Sequence, residues 1–253
     1  MKRLHILYTL LFIWLLPVTS NGQPAGKEKL RVISYNIWNG FEHDASRRAN
    51  FINWIKGQQP DILAMTELVG FTEKDLGQLA SEYGHKYYAI VKEEGYPVGI
   101  TSNEPITVVK KQMEGFWHGM LHVKTHGLDM IVTHLSPHDW KFRLKEAQML
   151  TSYIQDNQLD NCMVMGDFNA YSPFDADWVE THAQLIENMQ KWDAEQETYR
   201  NMRDGRFDYS VLSKFLSIGL TDICRLYVPA DKRTTFPAAF LYGWQHGDTR
   251  LHG

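Results

Sequence analysis

Short apolar segments with β-strand patterning alternate with amphipathic helical segments along most of the chain, and this alternation restricts the possible folds more than any other feature. Strand patterns cover residues 30–37, 61–65, 87–92, 98–101, 107–111, 119–124, 128–133 and 161–165. Helical spacing of apolar residues covers residues 45–58, 73–83 and 140–155, and a weaker, polar helical pattern covers residues 175–203. Early helix–strand alternation followed by a series of strands predicts an α/β layered fold in a single domain.

The composition sets the size and the class of this domain. The 253 residues are 43% hydrophobic and 13% aromatic, which suits one large globular domain and excludes a mainly disordered chain. With 26 basic and 30 acidic residues the formal net charge is −4, and this argues against a dedicated nucleic-acid-binding protein. A local basic groove would not show in these totals, so a nuclease stays an alternative.

The first twenty residues have the pattern of a secretory signal peptide. Lys2 and Arg3 precede an apolar run over residues 4–16, and Pro17 is followed by small residues typical of a cleavage site. The run is short for a membrane span. We therefore expect a signal peptide at 1–20, one domain at 21–253, a secreted or periplasmic location and no stable membrane span after cleavage. The alternative is an uncleaved N-terminal anchor helix.

Polar side chains stand at the ends of four apolar strand segments. Asn36, Glu67, His134 and Asp167 each end such a segment, and Asn169 follows two residues after the last of them. Because open sheets present their ligand sites at the carboxyl ends of strands, these groups can converge on one small space. Carboxylate, amide and imidazole groups together can hold a hard divalent cation and orient a phosphate.

Each of these residues also has a purely structural interpretation. Asn36 could cap the turn after its strand, and Glu67 could be a solvated charge at a strand end. A single histidine such as His134 is more often structural than catalytic. Asp167 and Asn169 together favour an Asx turn. From the residues alone, these structural interpretations stay open beside a shared site.

The segments around these residues resemble the endonuclease/exonuclease/phosphatase superfamily. The resemblance rests on SYNIWN at 34–39, DILAMTE at 61–67, VTHLSPH at 132–138 and GDFNA at 166–170, supported by GITSNEPI at 99–106 and GLTD at 219–222. The superfamily includes pancreatic-type deoxyribonucleases, abasic-site nucleases, inositol-polyphosphate phosphatases and neutral sphingomyelinases. The resemblance implies a four-layer α/β sandwich, in which two packed mixed β-sheets are flanked by helices.

The resemblance also implies roles for the five polar residues. Glu67 would be the principal ligand of Mg²⁺ or Mn²⁺, with Asn36 beside it on the metal side or the phosphate side. His134 would donate a hydrogen bond to the scissile phosphate. Asp167 would orient or deprotonate the attacking water, and Asn169 would stabilise the pentacovalent transition state. The implied reaction is in-line attack of water on phosphorus without a covalent enzyme intermediate.

The C-terminal region departs from the superfamily pattern. TFP is present at 235–237, but the Arg-Ile-Asp-Tyr and Ser-Asp-His elements that usually follow it do not occur before Gly253. His246, Asp248 and His252 are poor substitutes for the missing pair, because they lie in a Gly-containing segment without a strand pattern. We therefore expect a C-terminally incomplete domain that lacks its last strands and has impaired activity.

The sequence thus predicts an exported Mg²⁺-dependent phosphoester hydrolase, with a phosphodiesterase as the favoured interpretation. Its substrate would be a small-molecule, lipid or nucleic-acid phosphoester, and no protein partner is evident from the sequence. A secreted endonuclease is the first alternative. A catalytically silent, truncated remnant that binds metal or phosphate without turnover is the second.

Overall fold

The computed structural model describes residues 29–229 and 232–233. The described residues from Arg31 onward form one compact unit. The predicted signal peptide lies outside the described residues, as do TFP at 235–237, His246, Asp248 and His252. Among the described residues, no helix combines the length and the apolar character needed to cross a bilayer.

The first β-sheet contains the N-terminal strands in the order β1-β2-β4-β3. Its strands are β1 (Val32–Asn36), β2 (Ile62–Thr66), β3 (Tyr87–Ile90) and β4 (Gly99–Ser102). β1 pairs with β2 in parallel, whereas β4 is antiparallel to both β2 and β3, so the sheet is mixed. All of β2 is buried because this strand is covered on both faces, which explains its continuous apolar sequence.

The second β-sheet has the order β5-β6-β7-β8. Its strands are β5 (Thr107–Gln112), β6 (Met120–Thr125), β7 (Leu128–His134) and β8 (Cys162–Asp167). The first three form an antiparallel meander, and β8 is parallel to β7. Parallel neighbours need a crossover connection, which the long helix α3 (Trp140–Asp156) supplies.

Helices cover the outer face of each sheet. α1 (Ala45–Gln58) and α2 (Glu73–Glu82) pack on the first sheet, while α3 and α6 (Ser210–Leu216) pack on the second. The inner faces pack against each other through aliphatic side chains, among them Ile62, Ala64 and Ile100 from the first sheet and Leu121, Val123, Met130 and Val132 from the second. The four-layer α/β sandwich with two mixed sheets is therefore confirmed.

The segment after β8 is more irregular than the sequence predicts. It begins with the helices α4 (Ala176–Glu180) and α5 (Ala183–Glu195). A small hairpin follows, formed by the two-residue strands β9 (Met202–Arg203) and β10 (Arg206–Phe207), and then come α6 and α7 (Ile223–Tyr227). The helical pattern predicted to reach residue 203 ends earlier, at Glu195. Asp204 and Gly205 adopt φ values of 51° and 74°, and this left-handed pair turns the chain into the hairpin.

Candidate active site

Asn36 and Glu67 lie together at the carboxyl ends of two parallel neighbouring strands. Asn36 ends β1 and pairs with Thr66, the last residue of β2, so Glu67 follows at the same edge of the sheet. The Asn36 Nδ2 donates a hydrogen bond to Glu67 Oε1 at 2.9 Å. The Asn36 Oδ1 accepts the backbone N–H of Trp38 at 2.8 Å, and this contact fixes the orientation of the amide.

His134 and Asp167 lie together in the second sheet for the same reason. They are the last residues of β7 and β8, and the parallel register pairs them directly. The His134 Nε2 lies 3.9 Å from Asp167 Oδ2. The imidazole is buried, with 4% of the residue exposed, whereas the carboxylate is half-buried at the rim of the site.

One hydrogen bond joins the two pairs across the sandwich. The Asn36 Nδ2 that bonds Glu67 also donates to Asp167 Oδ2, at 3.1 Å. A single amide nitrogen therefore contacts carboxylates from both sheets. The structure brings Asn36, Glu67, His134 and Asp167 into one site, as their common position at strand ends led us to expect.

Asn169 completes the cluster beside His134. Its Nδ2 donates to the carbonyl oxygen of Leu135 at 2.9 Å and lies 3.1 Å from His134 Nε2. The other ring nitrogen of His134, Nδ1, is buried and finds no hydrogen-bond partner among the described residues.

The backbone of the site adopts conformations that are rare for L-residues. Glu67 and Asn169 have φ values of 59° and 47°, and Gly166 has a φ of 133°. A Cβ at position 166 would stand 1.7 Å from the carbonyl oxygen of Thr133. The close approach of β8 to β7, which aligns Asp167 with His134, therefore requires glycine at this position.

A loop in the left-handed backbone conformation binds the carboxylate oxygen of Glu67 that Asn36 does not contact. The six residues 38–43 all have φ values between 49° and 66°. The backbone N–H of Asn39 donates to Glu67 Oε2, and that of Gly40 donates to the Glu67 carbonyl, each at 2.8 Å. Both carboxylate oxygens of Glu67 thus accept a hydrogen bond, one from the loop and one from Asn36.

His118 forms one wall of the site and was missed by sequence reasoning. Its ring stacks on that of His134, with centroids 4.4 Å apart and planes inclined by 26°. Burial, together with the neighbouring His134 and Lys92, lowers the pKa of His118 to about 2, so this imidazole stays neutral at physiological pH. His118 lies in the loop before β6, where no spacing pattern distinguishes it from other histidines.

α3 presents two buried charged side chains to the loops around the site, and these too were missed. The Glu146 carboxylate accepts the backbone N–H groups of Trp117 and Ser136, at 2.8 and 2.7 Å. Burial raises the pKa of Glu146 to about 7, against the opposing effect of these two bonds and of Arg143. The Arg143 guanidinium donates to the Ser136 carbonyl and to Asn201 Oδ1. The sequence does contain a signal for these two residues. They are three positions apart, which places two charges on the face of α3 that otherwise packs on the core.

Comparison with known proteins identifies the family to which the chain belongs. The Endonuclease/Exonuclease/phosphatase family matches residues 33–239, which is well over half of the sequence. The chain belongs to this family. A search of curated protein sequences finds no match.

Solved structures agree with this assignment at the level of the fold. An AP endonuclease from Archaeoglobus fulgidus superposes with a TM-score of 0.61 and 20% identity, covering 88% of this chain and 85% of its own. The 3'-5' exonuclease NExo from Neisseria meningitidis superposes with a TM-score of 0.61 and 18% identity, covering 87% of this chain and 83% of its own. A structure of the 3' phosphatase NExo from Neisseria bound to a product DNA hairpin superposes with a TM-score of 0.62 and 16% identity, covering 88% of this chain and 85% of its own.

Membership of the Endonuclease/Exonuclease/phosphatase family places the chain among hydrolases of phosphoesters, which generally depend on a divalent metal. The donor set fits such a metal, since Glu67 Oε1 and Asp167 Oδ2 both lie within hydrogen-bond distance of one Asn36 nitrogen. Mg²⁺ is commonly held by one or two carboxylates with water and substrate phosphate. A cation would also relieve the repulsion between the two carboxylates. The part of the chain that the structure describes contains no cluster of three or more His, Cys, Asp or Glu side chains.

Proposed function

We propose that this protein is an exported Mg²⁺-dependent phosphoester hydrolase, a phosphodiesterase in which water attacks phosphorus in line. The observation that carries the proposal is the hydrogen bonding of Asn36 to both Glu67 and Asp167, which gathers two carboxylates from different sheets at one point. His134 and Asn169 adjoin this point. The site therefore combines anionic ligands for a metal with hydrogen-bonding groups for a phosphate.

Glu67 is the principal metal ligand in this proposal, for Mg²⁺ or for Mn²⁺ in its place. Hydrogen bonds from Asn36 and from the backbone of Asn39 orient its carboxylate, so little rearrangement is needed on binding. The Asn36 amide positions Glu67 and Asp167 relative to each other. The metal would supply neutralisation of the charge that develops on the phosphoryl oxygens.

Asp167 and Asn169 act on the nucleophile and on the transition state. The Asp167 Oδ1 accepts the backbone N–H of Asn169 at 3.0 Å, and Oδ2 accepts the Asn36 amide, so the carboxylate is held on both sides. From this position Asp167 orients the attacking water and takes its proton. The Asn169 amide donates to a phosphoryl oxygen of the pentacovalent transition state.

His134 meets the phosphate through Nε2, the atom that faces Asp167 and Asn169. From this position the imidazole donates a hydrogen bond to the scissile phosphate.

The proposed substrate is a small phosphodiester, and the proposed location is outside the cytoplasm. The net charge of −4 and the lack of long Lys/Arg runs in the sequence support a small substrate over long DNA. The charged start, apolar run and small residues of the first twenty positions support export.

Hydrolysis of bis(p-nitrophenyl) phosphate tests the proposal. We expect release of p-nitrophenol in Mg²⁺ or Mn²⁺ and its loss in EDTA. Asp167→Asn should lower kcat by about 100-fold or more, because the attacking water loses its base. Asp160→Asn is the matched control, since Asp160 is exposed and precedes the same strand.

The possible outcomes separate the alternatives. Activity that survives both EDTA and Asp167→Asn would overturn the metal-assisted mechanism. Metal binding without any turnover would favour the catalytically silent alternative over the enzyme.

A further inference from the structure

A cleft of about 400 Å³ opens beside the candidate active site. Its walls come from Trp117, from residues 136, 138 and 139 after β7, from Phe142 on α3, and from residues 197, 198 and 200. This volume lies within the range of about 300–1,000 Å³ that is usual for sites of small ligands. The cleft is therefore large enough for an organic substituent attached to a phosphate.

Two segments of the cleft wall continue along the chain into the active site. Trp117 is the chain neighbour of His118, whose ring stacks on His134, and Ser136 follows His134 by two residues. Glu146 binds the backbone of Trp117 and of Ser136 at the same time, so the two segments are fixed relative to each other. We therefore expect a substituent on a phosphate held at His134 to reach the cleft.

Aromatic rings form one side of the cleft. Trp117 is 47% exposed, and its ring lies 4.1 Å from that of His138 and 6.1 Å from that of Phe142, measured between centroids. His138 in turn stacks on Tyr199, with centroids 5.2 Å apart. The indole is held by its neighbours yet exposes a face, which suits packing against the C–H groups of a ring.

The cleft also has a polar side, with groups of both signs. Asp139 and Glu197 provide carboxylate acceptors, while Thr198 and Arg200 provide donors. An organic cation in the cleft would lie close to Arg200, and an anionic substituent would lie close to Asp139 and Glu197. A neutral group whose hydroxyls both donate and accept hydrogen bonds can satisfy all of these residues.

The polar side is tied to the rest of the site. The backbone N–H of Arg200 donates to the His138 carbonyl at 2.6 Å, and the Arg200 carbonyl accepts from the backbone of Trp140 at 2.9 Å. The Arg143 guanidinium donates to the same carbonyl at 3.0 Å. These bonds hold the segment against the start of α3, so the cleft is preorganised for a ligand.

We infer that this cleft binds a sugar-like, polyhydroxylated substituent of the phosphoester. Its ring packs on Trp117, and its hydroxyls hydrogen bond with Asp139, Glu197 and Arg200. The inference rests on the proposed function for the position of the phosphate, whereas the contacts to the sugar stand on the cleft alone. It also gives His138 a role, as the support of the aromatic side.

Calorimetric titration of the full chain in Mg²⁺ tests this inference with five probes: a hexose monophosphate, methyl phosphate, a methyl hexoside, phosphocholine and adenosine monophosphate. The hexose monophosphate should bind about 10-fold more tightly than methyl phosphate, because the ring adds its packing on Trp117. Trp117→Ala should remove this advantage, and Glu197→Gln should reduce it several-fold. Trp54→Ala, which removes a tryptophan of similar exposure (44%) on α1, should retain it.

Equal affinities for the hexose monophosphate and methyl phosphate in the wild type would overturn the inference. A larger gain for phosphocholine or adenosine monophosphate would overturn it too, in favour of an ammonium or a nucleobase. Binding of the methyl hexoside that depends on Trp117, without binding of methyl phosphate, would support the cleft while rejecting the proposed phosphoesterase site.

Discussion

Gly166 decides how closely the two strands of the second sheet approach each other at the active site. A Cβ there would stand 1.7 Å from the Thr133 carbonyl oxygen, at a φ of 133°. Gly127, in the turn between β6 and β7, also has a positive φ, of 74°, but its Cβ position is open. A substitution at Gly166 therefore causes both a steric clash and backbone strain, whereas a substitution at Gly127 causes backbone strain alone.

We expect Gly166→Ala to lower the free energy of unfolding by about 3 kcal/mol or more, because β8 must shift away from β7. Gly127→Ala should cost only about 1–2 kcal/mol, the strain of a left-handed alanine. Urea unfolding followed by tryptophan fluorescence measures both. Equal losses in the two variants would show that the close approach contributes nothing.

Among single residues, the sequence predicts only those site residues that stand at the ends of segments with a periodic pattern of apolar residues. Asn36, Glu67, His134 and Asp167 were predicted because each follows an apolar strand, and the structure brings them together. His118 could not be predicted in this way. Its contact with His134 joins a loop to the end of β7, and the spacing of the two residues along the chain follows no period.

Among the elements, helices with strong local signals were predicted best. α1 covers the predicted residues 45–58, because the Asp44 carboxylate caps its start and Gln59 turns left-handed after its end. The left-handed conformation of the loop at 38–43 was not predicted, since a run of such residues with a single glycine has no local signal. Contacts with Glu67 hold that loop in place, and they exist only in the folded chain.

α3 is the element that couples stability to pH through Glu146. The pKa of this carboxyl is about 7 in the folded protein, above its ordinary value of 4.5, chiefly because of burial. The folded state therefore binds the proton more tightly than the unfolded state. The resulting stabilisation is complete below about pH 4.5 and is lost as the pH rises through 7.

We expect Glu146→Gln to remove up to about 3 kcal/mol of pH-dependent stability between pH 5 and 8, because glutamine has no proton to lose. Urea unfolding at several pH values measures the difference from wild type. That difference isolates Glu146, since His85 and His118, whose pKa values burial lowers, contribute equally to both proteins. Glu195→Gln, at an exposed position on α5, should leave the slope unchanged. Identical slopes in wild type and Glu146→Gln would refute the coupling.

For the whole molecule, the packing of two sheets explains why the site lies where it does. β1 and β2 of the first sheet end beside β7 and β8 of the second, and the Asn36 amide joins the two edges. The layered fold could be predicted from the alternation of elements together with the family resemblance. The cleft could not, because its walls come from three segments that are far apart in sequence, namely Trp117, residues 136–142 and residues 197–200.

The overall charge leads to a prediction about salt. At a net charge of −4, we expect no tight, salt-dependent binding to duplex DNA, measured by fluorescence anisotropy between 50 and 200 mM salt. A protein that contacts many phosphates loses about 10³–10⁵-fold in affinity over that range. Such a loss here would favour the secreted endonuclease over the small-substrate phosphodiesterase.

The most direct test of a metal-dependent centre at Asn36 and Glu67 is calorimetric titration of Mn²⁺ into the metal-stripped protein. We expect saturable binding that weakens by at least about 10-fold in Glu67→Gln, because the principal carboxylate ligand is lost. Glu114→Gln, at an exposed position in the loop after β5, should bind as the wild type does. Mn²⁺ binding that is the same in Glu67→Gln as in the wild type would contradict the proposed centre.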